Sequence, residues 1–330
     1  MALIDGRPRS ASARAVTELR LRVVTFEHLN ERLGAADPML RLLLRVLLAR
    51  YRDVLAPGSQ QSLGPDDHDR TAALERLQME HDLSLAIENG EFQLVYQPII
   101  RLSDLRTAGF EALIRWQSPT RGFVSPITFI PVAEESGLII PMGAWVIVES
   151  CAALARIALG DDCFMSINLS SRQLKDPTLS ATLDEAARIA RVPTGRLKLE
   201  VTESLLMDDF EGAAAVLARQ RDAGFKIAID DFGTGYSSLA YLHRLPADTL
   251  KIDQSFIRRI ETDLPSRNIV AAIGELTQKL GMQVIAEGVE NVEQAQAVRD
   301  MGFEYAQGYF FSRPVSESET SGLVNRQWTI

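Results

Sequence analysis

The sequence predicts an α/β fold: an irregular (β/α)8 TIM-like barrel whose first strand runs antiparallel, preceded by a small N-terminal segment. Three observations carry that expectation. From Phe92 onward, short β-prone runs alternate with helix-length stretches, which favours right-handed βαβ units and a parallel sheet. Eight such runs can be counted, the number that closes a barrel in roughly 250 residues. The first two runs are joined only by Arg101 to Thr107, too short for a helical crossover, so they should pair as a hairpin.

Taken in order, Pro38 to Val54 reads as helical, with Leu40, Leu43, Leu44, Leu47 and Leu48 on one broad face. Pro57-Gly58-Ser59 and Gly64-Pro65 punctuate a polar linker. The domain division is therefore an N-terminal segment at 1–56, a linker at 57–73 and the barrel at 74–330, with helical character running from Asp67 to Asn89. The expected strands are Phe92 to Ile100, Ala108 to Trp116, Phe164 to Leu169, Leu197 to Thr202, Phe225 to Asp230, Thr249 to Ile252, Gln283 to Ala286 and Tyr305 to Gln307. Helices are expected at Gly143 to Leu159, Leu179 to Ala190, Phe210 to Ala223, Ser266 to Leu280 and Val292 to Met301.

Composition limits the function classes. The 330 residues carry 35 Lys and Arg against 44 Asp and Glu, a net charge of −9. That balance argues against broad contact with duplex nucleic acid, but not against a small phosphodiester whose charge bound cations meet. With 46% apolar and 24% charged residues, a packed core is expected. The apolar stretch Leu40 to Leu48 is broken by Arg41 and Arg45 and falls short of the ~20 residues that span a bilayer. No membrane span and no signal peptide are expected. Cys151 and Cys163 form no CxxC pair, so a reducing, cytoplasmic setting fits best. The four histidines are His28, His68, His81 and His243, too few for a histidine-rich centre, and any metal in the main domain must mostly see oxygen.

On the second strand, Glu111, Leu113 and Arg115 share one face, while Phe110, Ala112, Ile114 and Trp116 share the other. With helices covering the outside of the barrel, the charged set faces the interior; a merely solvated strand face is the plainer alternative. Asn168, Glu200, Asp230 with Asp231, Lys251, Glu287 and Gln307 lie near the ends of later strands. Strand C-terminal ends form the active-site face of such a barrel, so these groups should converge. Carboxylates ~4 Å apart repel by roughly 4 kcal/mol at an effective dielectric of ~20, so either some are protonated or cations sit among them. Asp230-Asp231 could serve two ions at once, or could form a turn or helix cap. The following Gly233-Thr234-Gly235 lacks the third glycine of a dinucleotide fingerprint and reads as a loop beside the aspartates.

These residues, in this order, resemble the EAL domain, a bacterial family of cyclic di-GMP phosphodiesterases. The resemblance runs from about Leu74 to Pro314. It rests on Glu111 to Trp116, Ser166 to Ser170, Glu200 to Ser204, Asp230 to Leu239, Leu250 to Asp253, Ala286 to Glu290 and Ala306 to Tyr309. It implies metal-dependent opening of cyclic di-GMP to linear 5′-pGpG, with two ions of Mg²⁺ or Mn²⁺, in a homodimer formed through the barrel. By the resemblance, Glu111, Asn168, Glu200 and Asp230 are ligands of one metal, and Asp230, Asp231 and Glu287 hold the second. Lys251 orients the attacking water, with Glu287 a candidate base. Gln97, Leu113, Arg115, Asp231, Glu290 and Gln307 match substrate-binding positions, and Glu203 anchors the glycine loop. The alternative is a receptor that binds cyclic di-GMP without cleaving it; a sugar-phosphate barrel is disfavoured by Glu287 and Glu290 where a phosphate cradle would lie. The stretch Ala2 to Ala13 resembles the phosphate-binding cassette of a cyclic-nucleotide-binding domain, with Arg9 at its phosphate-gripping position. That implies a cyclic mononucleotide as a further ligand; a helical dimerisation arm is the other reading of this segment.

Overall fold

A computed structural model describes residues 66–157, 163–203, 209–233 and 242–330, the first eight of these by backbone alone. Arg9 and the helix expected at Pro38 to Val54 lie outside the described residues. The chain divides into two units, Met1–Glu88 and Asn89–Ile330. In the first, the described element is helix α1 (Asp66–Asn89). It begins one residue before the expected start and takes in the second half of the stretch read as linker.

The second unit is the barrel. Its strands are β1 (Phe92–Arg101), β2 (Arg106–Ser118), β3 (Gly122–Val124), β4 (Phe164–Asn168), β5 (Leu197–Thr202), β6 (Lys226–Phe232), β7 (Thr249–Ile252), β8 (Gln283–Ala286) and β9 (Tyr305–Ala306). They form one sheet in the order β1-β9-β8-β7-β6-β5-β4-β2-β3, and an additional β1–β2 pairing closes it. Strand β1 is antiparallel to both neighbours, whereas the pairs from β2–β4 round to β8–β9 are parallel. The eight-stranded barrel with a reversed first strand is therefore present. Strand β3 folds back on the end of β2 outside the closed ring; three residues carry too little alternation to signal it in the sequence.

Helices α2 (Pro126–Ser136), α3 (Ile139–Arg156), α4 (Ser171–Leu174), α5 (Leu179–Ala190), α6 (Phe210–Asp222), α7 (Gln254–Ile257), α8 (Leu264–Lys279), α9 (Val292–Asp300) and α10 (Glu317–Val324) accompany the strands. Helix α2 went unread because Pro126 and Pro131 look like breakers; Pro126 instead occupies the helix start, where its missing N–H has no partner to lose. Helix α3 starts four residues before the expected Gly143. By length and composition it could cross a membrane, yet its Val146, Ile147, Cys151 and Leu154 pack in the same core cluster as Phe110, Met165, Ile167 and Leu199 from the strands. It is a wall of the barrel.

The core therefore lies between the outward strand faces and the helices, as the alternation in β2 requires. Phe110 and Trp116 are fully buried on that side. Trp116 meets Phe129 edge-on at 5.7 Å between ring centroids, and its indole N–H donates to Glu91 at 2.9 Å, which satisfies the polar end of a buried indole. The inward faces carry the polar residues of the site together with a smaller apolar cluster that includes Phe164 and Ile285.

Candidate active site

The site is built at the C-terminal ends of the parallel strands, from side chains that share the inward parity of their strands. Glu111 on β2 and Gln97 on β1 are register partners, as are Asn168 on β4 and Glu200 on β5. The β6–β7 register is irregular between Ile229 and Phe232, and within that interval Asp231 has a left-handed backbone, φ 54°. Such irregularities re-aim side chains. Here the adjacent Asp230 and Asp231, which strict alternation would send to opposite faces, both reach the site: single carboxylate oxygens of Asp230, Asp231 and Glu287 lie within 4.8 Å of one another.

Lys251, fully buried on β7, stands in the middle. Its Nζ lies 2.6 Å from Glu200 Oε2, 2.7 Å from Glu287 Oε1, 3.1 Å from Asp230 Oδ1 and 3.8 Å from Glu111 Oε2. Glu111 is held from the other side by amides: Asn168 Nδ2 donates to its Oε1 at 2.8 Å and Gln307 Nε2 to its Oε2 at 2.7 Å. Gln307 Nε2 also donates to Gln97 Oε1 at 3.1 Å, and Gln97 Nε2 to the Ser312 carbonyl at 3.2 Å. The Asp231 amide donates to Asp230 Oδ1 at 2.9 Å.

One ammonium cannot balance so many acids. Burial works against the Lys251 charge, but the surrounding Asp230, Glu111, Glu200 and Glu287 outweigh it and hold its pKa well above the ordinary value. The acids share the remaining deficit. Burial first, then the neighbouring carboxylates Glu111 and Asp230, push Glu200 up to about 8 against the pull of Lys251. Glu287 rises well above the carboxylate range, again chiefly by burial. Asp231 is raised by burial, then by Asp230 and Asp253. Acids whose pKa values burial and neighbouring carboxylates raise mark a place where additional positive charge is favoured.

Residues 80–314 match the family model described as the EAL domain. The chain belongs to the EAL domain family. The solved structure of EAL enzyme Bd1971, in a cAMP- and cyclic-di-GMP-bound form, is 38% identical, with a TM-score of 0.76 over 98% of this chain and 86% of that one. Signaling protein YkoW of Bacillus subtilis is 42% identical over 76% of this chain and 32% of its own length. Cyclic di-GMP phosphodiesterase NbdA of Pseudomonas aeruginosa is 40% identical over 74% of this chain and 31% of its own. The chain thus spans less than half the length of these curated relatives.

Within this EAL domain, the inferred residues divide by position. Glu111, Glu200, Asp230, Lys251 and Glu287 converge, with Asn168, Gln97 and Gln307 bonded into the same group and Asp231 at its edge. Arg115 is half-buried, donating to the Ile114 carbonyl at 2.9 Å; burial lowers its pKa, opposed by Tyr309 and Glu111. Leu113 is partly buried two residues along β2. Glu290 is engaged at the surface by Arg258 at 2.9 Å. Glu203, just past β5, accepts from the Gly233 amide at 3.1 Å, at the point where φ is 103° and a Cβ would sit 2.5 Å from the Phe256 ring. Two neighbours were not singled out from sequence. Asp253 caps α7 through Ser255 and adds charge near Asp231; Tyr309, exposed, stacks under Arg313 at 4.3 Å. Asp253 carried a signal, an acid at the inward parity of Lys251.

Proposed function

We propose that the barrel hydrolyses cyclic di-GMP to linear 5′-pGpG using two divalent cations, Mg²⁺ or Mn²⁺. The observation that carries this reading is the convergence of Glu111, Glu200, Asp230 and Glu287 on one buried centre, beside the Asp230, Asp231 and Glu287 oxygens within 4.8 Å. The donor set fits such ions: it is all oxygen, mostly carboxylate. Glu111, Asn168, Glu200 and Asp230 would hold one ion, and Asp230, Asp231 and Glu287 the other. Bound there, the ions would supply Lewis-acid polarisation of the phosphate and a lowered pKa for water.

The side chains supply position and proton handling. Lys251, fixed among the carboxylates, has N–H groups to orient an attacking water. Glu287 is the candidate base for that water's proton, a role open to its ionised form, which positive charge beside it favours over the protonated form that burial favours. Arg115 offers a fork of donors to a substrate phosphate, and Gln97 and Gln307 offer amides beside it. Leu113 and Glu290 complete the inferred substrate contacts, and the Glu203–Gly233 bond supports the loop-anchor role. The same reading treats 74–330 as the catalytic domain behind a linker at 57–73 and a distinct segment at 1–56. It makes the protein a homodimer through the barrel, with no membrane and no duplex nucleic acid as partner. The reading places the protein in the cytoplasm, a setting that keeps cysteines such as Cys151 and Cys163 reduced.

The test is to incubate the purified chain with cyclic di-GMP and Mg²⁺ or Mn²⁺ and to follow pGpG. Metal-dependent product that EDTA abolishes is the expected result. Saturable binding with no product under either metal would instead make the chain a receptor.

A further inference from the structure

Beneath the carboxylate group, the barrel interior holds a second lysine. Lys198 lies on β5 two residues before Glu200, so both side chains point inward. It is nearly fully buried, and its ammonium lies over the Phe164 ring at 4.0 Å and the Tyr305 ring at 5.3 Å. Lys198 Nζ is buried without a hydrogen-bond partner, and so are Glu200 Oε1, Ser166 Oγ and Thr249 Oγ1. These four are not scattered. Ser166 is the register partner of Lys198 on β4, and Thr249 shares the inward parity of Lys251 on β7.

Buried polar atoms in native proteins are nearly always paired, with ordered water where protein does not suffice. An unpaired ammonium and an unpaired carboxyl oxygen, two residues apart on the same face of one strand, are groups that ordered water can join. An anion such as chloride would accept from Lys198 but would face the acids above. We propose that ordered water bridges Lys198 Nζ to Glu200 Oε1, with the Ser166 and Thr249 hydroxyls as its further partners, making Lys198 a positioning residue for Glu200. The aromatic rings hold the ammonium in place, and the water transmits that placement to the carboxylate. The consequence for metal rests on the reading of Glu200 as a ligand; the water itself does not.

Two measurements separate these. A high-resolution crystal structure of the metal-free chain should show density within hydrogen-bond distance of both Lys198 Nζ and Glu200 Oε1; a dry contact there, or a different ion, overturns the proposal. Mn²⁺ titration followed by the EPR signal of the free ion, without substrate, should show Lys198→Met weakening metal binding about tenfold, as loss of a ligand's supporting partner does. Ser166→Ala, which keeps the ammonium, should weaken it less and serves as the readout if the lysine variant does not fold. Parent-like Mn²⁺ affinity in a folded Lys198→Met, or in Ser166→Ala where that variant stands in, refutes the positioning role. If the parent binds no Mn²⁺, the metal reading fails while the density still decides the water.

Discussion

At the scale of residues, the ammonium of Lys251 faces the carboxylates of Glu111, Glu200, Asp230 and Glu287, and the imbalance has two measurable consequences. Because Glu200 is raised to about 8, most metal-free molecules at pH 7 carry a proton there. A divalent cation entering the group must displace it. Metal binding should therefore release protons, and affinity should rise with pH through about 8. Calorimetric titration of Mg²⁺ in two buffers of different ionisation heat checks this; equal apparent heats at pH 7 would contradict it. Replacing Glu111 or Asp230 by Ala should lower turnover by more than about 100-fold, since even outer-shell partners of a metal are worth 10- to 100-fold. Far-UV circular dichroism should stay parent-like, because three carboxylates still balance Lys251. Near-parent pGpG formation by either variant would remove that residue from the site.

At the scale of elements, the site depends on strand ends being held at fixed heights. Gly308 follows β9 where a Cβ would lie 2.1 Å from the Val289 carbonyl oxygen and 2.3 Å from its amide nitrogen. The same crossing is tied by Val289 N–H to the Gln307 carbonyl at 3.0 Å. Gly308→Ala should wedge the two segments apart, costing about 1–3 kcal/mol as overpacking does, and should shift Gln307 away from Glu111. Denaturant unfolding measures the first effect and turnover the second; a variant equal to the parent in both would show the contact to be slack. Much of this architecture was legible beforehand. Apolar runs at β4, β5, β7 and β8 alternate with helices at a spacing that only parallel crossovers satisfy, and the short Arg101 to Thr107 link gave away the reversed first strand. Strand β3 and helices α2, α4, α7 and α10 were not legible, because their lengths or prolines defeat periodicity. Parity alone placed Glu111 inward, whereas the arrival of both Asp230 and Asp231 in the site needs the β6–β7 irregularity, which pattern does not disclose. Lys198 was hidden for the opposite reason: a lysine in a strand ordinarily reads as solvated, and only the closed barrel turns it inward.

For the barrel unit as a whole, the placement of its acids makes stability depend on what fills its mouth. The net charge of the chain is −9, and acids gather in the site, where oxygens of Asp230, Asp231 and Glu287 lie within 4.8 Å of one another and burial and mutual repulsion raise Glu200, Asp231 and Glu287 together. An acid raised in the folded state binds more protons folded than unfolded, so this part of the stability falls as pH rises from the ordinary carboxylate value toward about 8. Cations that bind the folded barrel and not the unfolded chain reverse that loss by mass action, about 2.7 kcal/mol at a hundredfold excess over Kd. For a domain of this size that corresponds to roughly 5–10 °C in Tm. Thermal melts at pH 8 with Mg²⁺ or Mn²⁺ should lie that much above melts in EDTA. At pH 5, where protons hold Glu200 and Glu287 neutral and compete with the cations for them, the metal-induced shift should shrink. A shift that is equal at the two pH values would mean that the stabilising ions bind elsewhere on the acidic surface and not among the inward carboxylates.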